Sequence, residues 1–197
     1  MADDLNQQKA ALRLRVRSEL AAVPASQRTA AAAQACSLLK RKPVWNAAGA
    51  ILFFASLPDE LDIWPLLGEA LAAGKTVGLP RFSSAANAYI PCLIKDLHGD
   101  TQPGRFGIRE PASACEALAF DRLDLVLVPG VAFDLAGRRL GRGRGFYDRL
   151  LDAVRGTKCG VAFDEQIVSA VPAGPQDVQV DCLLTPTRWL EVLVAGA

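Results

Sequence analysis

Four short segments of almost unbroken apolar character constrain this chain more than any other feature: Ala50–Ala55 (AILFFA), Leu125–Val128 (LVLV), Cys159–Phe163 (CGVAF) and Cys182–Leu184 (CLL). Each is too short to read as a helix. Each reads as a strand buried on both faces, and such strands belong to parallel sheets covered by helices. The segments between them have helical spacing. Leu5–Ala22 carries an apolar row at Leu12, Val16 and Leu20, and a basic row at Lys9, Arg13 and Arg17 on another face. Ser26 is the expected N-cap of a second helix that runs through the alanines and stops before Pro43. Leu61–Ala73 reads as a helix with Gly74 as its C′ residue, and Phe146–Val154 as another. Thr76–Leu79 and Ala88–Ile94 read as further strands. The alternation predicts an α/β fold with a mainly parallel sheet flanked by helices, residues 1–197 forming a single domain. The N-terminal helices are expected across one face.

In a sheet of this kind ligands lie beyond the carboxyl ends of the strands. Three segments leave strands there and carry chemistry: Ser56–Glu60, Pro80–Arg81 and the long loop from Pro129 to Asp148. The formal charge is only +1, so no global field draws the protein to nucleic acid or to an anionic membrane, and any anion must be caught by a local cluster. The five cysteines form no C-x-x-C pair, which predicts reduced, mostly buried thiols in the cytoplasm. The N-terminal segment has early acids and no apolar centre, unlike a signal peptide. The alanine-rich stretch is too short and too polar to span a bilayer. The only histidine, His98, sits between Asp96 and Asp100 in a polar loop and is expected to be solvated.

The local cluster is GRRLGRGRGFYDR, Gly137 to Arg149, between a buried strand and a helix. Gly141, Gly143 and Gly145 let the backbone approach an anion closely and expose N–H groups to it. Arg138, Arg139, Arg142 and Arg144 add guanidinium forks suited to phosphate oxygens. The pattern is not the dinucleotide fingerprint, because Phe146 stands where the third glycine belongs. GEALAAGKT, Gly68 to Thr76, is not a P-loop either: it has one residue too many between its glycines and runs from helix to strand. Asp148, in the first turn after the loop, is placed to hold Mg²⁺ beside a polyphosphate, with Asp177 or Asp181 as a second carboxylate. No G-x-S-x-G elbow or nucleophile–base pair is present, which leaves chemistry by positioning and charge neutralisation.

The chain resembles the 5-formyltetrahydrofolate cyclo-ligases, nearly end to end. The resemblance rests on K-x-x-L-R at Lys9–Arg13, the acidic pair Asp59–Glu60, L-P-R at Leu79–Arg81, F-G-I-x-E-P at Phe106–Pro111 and V-P-G-x-A-F-D at Val128–Asp134. It continues in R-L-G-x-G-x-G-F-Y-D-R at Arg139–Arg149, A-F-D-E-Q at Ala162–Gln166 and P-x-x-x-x-D-x-x-x-D at Pro172–Asp181. Ile63 and Phe106 depart from residues common in the family. The resemblance implies a three-layer α/β/α fold and an ATP- and Mg²⁺-dependent ring closure of 5-formyltetrahydrofolate. It implies ATP contacts at Lys9, Arg13, Arg139, Leu140, Gly141, Arg142, Gly143, Arg144, Gly145, Phe146 and Tyr147. It implies folate contacts at Arg13, Ala55, Glu60 and Arg142–Phe146, catalytic roles for Arg142 and Glu60, and Mg²⁺ at Asp148 and Asp177. The partners expected are these two small molecules, with no nucleic acid and no membrane, and the protein is expected to be a monomer. Two rivals are a sugar-phosphate isomerase or kinase on the same kind of sheet, and a non-catalytic module binding RNA or a regulatory ligand. The near-neutral charge and the lack of a basic run interleaved with exposed aromatics speak against RNA.

Overall fold

The computed structural model of the chain describes residues 2–104 and 108–192. The most apolar run becomes the middle strand of a seven-stranded sheet, β6 (Leu125–Pro129), buried at every residue. β1 (Ala50–Leu52) pairs parallel on one side of it and β9 (Thr157–Val161) on the other. β2 (Thr76–Ser83) lies parallel beyond β1, and β10 (Cys182–Leu184) parallel beyond β9. The two edges are antiparallel, β3 (Ala88–Ile94) against β2 and β11 (Trp189–Glu191) against β10.

Alternate residues of the inner strands feed two separate cores, which is the strand period of two at work. Ile51, Leu125, Leu127, Cys159 and Cys182 face one core; Leu52, Val126, Val128 and Leu183 face the other. Over the first core lie α1 (Ala2–Ala21), α2 (Ala25–Lys40), α3 (Pro43–Ala47) and α4 (Trp64–Ala72). They contribute Leu12, Val16, Leu39, Trp45, Leu66 and Leu67. Over the second lies α5 (Phe146–Asp152) with Leu150 and Leu151. The result is the expected three-layer α/β/α fold, with the N-terminal helices across one face. From β1 the chain winds through α4 to β2; from β6 it winds the other way through α5 to β9. Crossovers of one hand in opposite directions put their helices on opposite faces, as found.

Several element ends differ from expectation. Helix α1 begins at Ala2, three residues before Leu5. Pro24, in extended conformation, is the N-cap of α2, so Ser26 lies inside the helix and its side chain caps nothing. Pro43 opens α3 as its first residue, where a missing N–H costs no hydrogen bond. Helix α4 starts at Trp64 because Asp62 Oδ1 accepts the Trp64 N–H at 2.9 Å in a turn that delays helix entry. Its end is as expected: Gly74 has φ 74°, its N–H reaches Leu71 O, and Lys75 N reaches Ala70 O. β2 runs on to Ser83 as a hairpin with β3. The loop after β3 holds a small ribbon of β4 (Thr101–Pro103) and β5 (Arg109–Pro111). The long loop after β6 contains another, β7 (Ala132–Phe133) with β8 (Arg139–Leu140).

Candidate active site

β1 and β6 are the neighbours from which the chain winds apart, so the crevice beyond their carboxyl ends is the switch point of the sheet. A cleft of about 570 Å³ lies there. All three segments singled out in the sequence reach it. Ala55, Leu57 and Glu60 come from the loop after β1, Leu79 and Pro80 from β2, and Pro129 to Asp148 from the end of β6 and the arginine loop. Helix α1 closes the side of the cleft with Lys9 and Arg13. These two face the cleft together because residues one turn apart share a helix face.

The arginine loop takes its shape from backbone geometry. β8 pairs back on β7, which carries the Arg139 side chain inward, and the chain then turns through Gly141–Gly145 into α5. Gly143 has φ 99° and Gly145, the residue before α5, has φ 64°, a left-handed backbone that a side chain would strain. Arg13 Nε donates to Gly141 O at 2.8 Å, tying the first helix to this turn across 128 positions of sequence. Burial, then repulsion from Arg17, lowers the pKa of Arg13.

Three sets of ion pairs balance the charges. Lys9 Nζ lies 2.6 Å from Asp177 Oδ2. Arg139 Nη2 lies 2.7 Å from Asp148 Oδ1, with the arginine side chain 3% exposed and its guanidinium 5.7 Å from the Tyr147 ring centroid. Arg142 Nη2 lies 2.6 Å from Asp59 Oδ1 and 3.0 Å from Glu60 Oε1, joining the arginine loop to the loop after β1 across the cleft mouth. Burial raises the pKa of Glu60, against the opposing pull of the Leu57 N–H at 3.0 Å and of Arg142. Burial also works to raise that of Asp177, but the Gly174 N–H and the Lys9 ammonium outweigh it and hold the carboxyl below the usual range. Burial pushes Tyr147 well above the ordinary phenol value.

The structure thus brings Lys9, Arg13, Ala55, Glu60, Arg139–Tyr147, Asp148 and Asp177 to one cleft. It removes three others. Arg138 precedes β8 and points the opposite way from Arg139. Its Nε lies 2.8 Å from Asp134 Oδ2, an ion pair bent away from hydrogen-bond geometry. Arg81 is spent on the carbonyls of Ala112, Ser113 and Cys115. Asp181 accepts the Lys158 N–H at 2.7 Å at the strand edge, so Asp177 is the second carboxylate of the cleft. Phe106 lies outside the described residues. His98 is exposed, as expected. A-F-D-E-Q proves to be scaffold: Gln166 Nε2 donates to Gly130 O and Val131 O, fixing the chain just past β6.

Sequence reasoning missed Tyr89 of β3, which lines the cleft and packs at ring-centroid distances of 5.6 Å on both Phe146 and Tyr147. Ala88–Ile94 reads as a strand in the sequence and includes it, but no local pattern aims it at the site. Among the described residues no three His, Cys, Asp or Glu side chains gather into a metal cage. Two carboxylates in one cleft suit Mg²⁺, which takes one or two carboxylates and completes its shell with phosphate oxygens and water. Among the described residues no helix is long and apolar enough to cross a membrane.

Comparison with known proteins finds relatives along nearly the whole chain. The sequence profile described as the 5-formyltetrahydrofolate cyclo-ligase family matches residues 5–186. Curated relatives named 5-formyltetrahydrofolate cyclo-ligase include one from Mus musculus, 30% identical over 91% of this chain and 94% of its own. Another, from Escherichia coli K12, is 31% identical over 89% and 99%. The solved structure of the Aquifex aeolicus 5,10-methenyltetrahydrofolate synthetase superposes with a TM-score of 0.85 at 31% identity, covering 96% of this chain and 95% of the other.

Proposed function

The chain belongs to the 5-formyltetrahydrofolate cyclo-ligase family, enzymes that turn 5-formyltetrahydrofolate into 5,10-methenyltetrahydrofolate, and we propose that this protein drives the ring closure with ATP and Mg²⁺ through a phosphorylated formyl intermediate. The observation that carries the reading is the convergence of Lys9, Arg13, Arg139, Arg142 and Arg144 on one cleft turned by glycine backbone. That is the equipment for holding a polyphosphate.

In this reading the formyl oxygen on N5 attacks the γ-phosphorus and ADP leaves. N10 then attacks the activated carbon and gives up its proton to the departing phosphate, which breaks the carbon–oxygen bond and closes the methenyl bridge. A formamide oxygen is a poor leaving group, and phosphorylation makes it a good one. No covalent nucleophile is required, which suits a cleft whose only titratable hydroxyls among the described residues are phenols of raised pKa. Lys9 and Arg13 hold the phosphates from the α1 side, while Arg139 and Arg144 hold them from the loop. Arg142, at the cleft mouth, spreads charge developing on the transferred group. Glu60 orients the pteridine through its ring N–H groups, next to Ala55. Asp148 and Asp177 hold Mg²⁺, which neutralises phosphate charge when bound. The protein is read as a monomer of the cytoplasm, in keeping with its free thiols.

The test is near-ultraviolet absorbance of the protein mixed with 5-formyltetrahydrofolate. The methenyl chromophore should grow only when ATP and Mg²⁺ are both present. Growth without ATP, or none from folded protein that binds ATP, overturns the mechanism.

A further inference from the structure

The cleft has a neighbour. A second cavity of about 980 Å³ lies between α2 and the start of α4, and Ala55, Leu57, Glu60, Ile108 and Arg109 line both. The two spaces therefore meet beside Glu60. The first is the size that encloses one ligand of ordinary dimensions. The proposed reaction has two substrates, each that large, so part of one must lie outside it. The phosphates are fixed on the side of Lys9, Arg13 and the glycine turn. The overflow belongs at the Glu60 side, where the second cavity opens.

Two side chains give that cavity its chemistry. Trp64, the first residue of α4, is half-buried on its wall, and the Arg109 guanidinium carbon stands 5.8 Å from the indole centroid. Arg109 Nε donates to Oγ1 of the buried Thr101 at 2.9 Å, which anchors the side chain. Among the described residues its two Nη groups have no hydrogen-bond partner. The other charges here are engaged. Lys40 pairs with Glu69 at 2.8 Å, Arg28 donates to the carbonyls of Leu20, Val23 and Pro58, Glu60 pairs with Arg142, and Asp62 caps the Trp64 N–H. Among the described residues, what remains is a flat aromatic surface beside one available cation.

We propose that the second cavity receives the aminobenzoyl-glutamate arm of the folate, with Trp64 stacked on the benzoyl ring and Arg109 paired to a glutamate carboxylate. This rests on the function proposed above, because it takes the pteridine to lie at Ala55 and Glu60. The arm has the two groups the cavity answers, an aromatic ring and a carboxylate a few bonds beyond it. An aromatic contact and an arginine fork on the same wall read them in that order.

The test is calorimetric titration of the full chain, with Mg²⁺ and a non-hydrolysable ATP analogue present, using three probes. These are 5-formyltetrahydrofolate, 5-formyltetrahydropteroate (which lacks the glutamate) and 5-formyl-6-methyltetrahydropterin (which lacks the whole arm). Trp64→Ala should weaken the first two about five- to tenfold and leave the pterin unchanged, and Trp64→Phe should recover most of the loss. Arg109→Gln, at an exposed position that does not threaten folding, should weaken only the glutamate-bearing probe, by about two- to fivefold, and less at high salt. Equal loss for the pterin in Trp64→Ala, or equal loss for the pteroate in Arg109→Gln, overturns the proposal. A wild-type protein that binds the nucleotide but no folate probe overturns the function beneath it, a different result from either.

Discussion

Replacing Arg139 by methionine tests whether the floor of the cleft is held by its ion pair. Arg139 Nη2 stands 2.7 Å from Asp148 Oδ1, with side-chain exposures of 3% and 21%. Removing one partner of a buried pair costs about 3–5 kcal/mol, because the other charge is stranded. Asp148 keeps a fifth of its surface in water, so screening reduces the loss to about 2–3 kcal/mol. For a chain of this length each kcal/mol moves the melting temperature by about 2–4 °C, which puts Arg139→Met about 4–12 °C below wild type. Asp148→Asn leaves the more deeply buried arginine unpaired and should lose at least as much. The double variant strands no charge, and exchanging both ends of a buried pair is often neutral, so it should melt within about 4 °C of wild type. Calorimetric melts of the three variants close the cycle. Additive losses, with coupling below about 0.5 kcal/mol, would refute the argument, because the two side chains would then be acting independently. Turnover should be lost in all three, which separates the stability of the pair from its use.

Arg142→Ala should cut turnover by about a hundredfold or more, as loss of one transition-state donor does. Its pair is 36% exposed on the arginine side, so the melting temperature should stay within about 4 °C; a larger drop would make it a structural residue. Glu60→Gln should raise the Michaelis constant for folate and leave that for ATP unchanged; an unaltered folate constant removes Glu60 from the substrate site. Burial raises the folded pKa of Glu60 above the ordinary 4.5, so its charged form opposes folding at neutral pH, and that opposition fades as pH falls through the raised value. Folate affinity should fall over the same range in wild type, and titrations should show no such limb in Glu60→Gln. Asp177 has the opposite sign: its pKa is held below the ordinary 3.8, so the stability it contributes is present above that value and is lost as pH falls through the folded one. Asp177→Asn should lower the melting temperature at neutral pH and flatten its acid limb below about pH 4; an unchanged limb would assign that dependence elsewhere.

The sheet was legible because Leu125–Val128 and Ala50–Ala55 are apolar at consecutive positions and too short for helices, which fits strands covered on both faces, although β1 itself ends at Leu52. The short ribbons were not, since strands of two or three residues carry no periodicity, and β7 and β8 reveal themselves only by pairing. The glycine turn and its cations were legible as a cluster, but not which cation serves. Arg138 and Arg139 look alike in sequence; the strand period of two sends one to Asp134 and the other to Asp148. The pairing of Lys9 with Asp177 spans 168 positions, and no spacing rule reaches that far. Tyr89 and the second cavity belong to the same class, formed by loops that meet only once the sheet is built.

The pairings bear on how the cleft receives its ligands. Lys9 is matched by Asp177, Arg139 by Asp148, and Arg142 by Asp59 and Glu60. A half-buried cleft lined by unpaired cations would cost several kcal/mol per charge, and the carboxylates remove that cost while holding the cations in place. On the function proposed above, a polyphosphate competes with Asp148 and Asp177 for Lys9 and Arg139. Taken alone, it would leave two carboxylates facing it at close range. In that proposal the same two carboxylates hold Mg²⁺, so metal and phosphate together would give each internal pair two satisfied contacts, while either alone would leave charges stranded. In the same proposal the Arg142 bridge would open at the mouth, freeing Glu60 for the pteridine as the guanidinium turns to the transferred phosphate. On that reading, the acids beside the cations are what hold the positive charge of the site in position for its substrates.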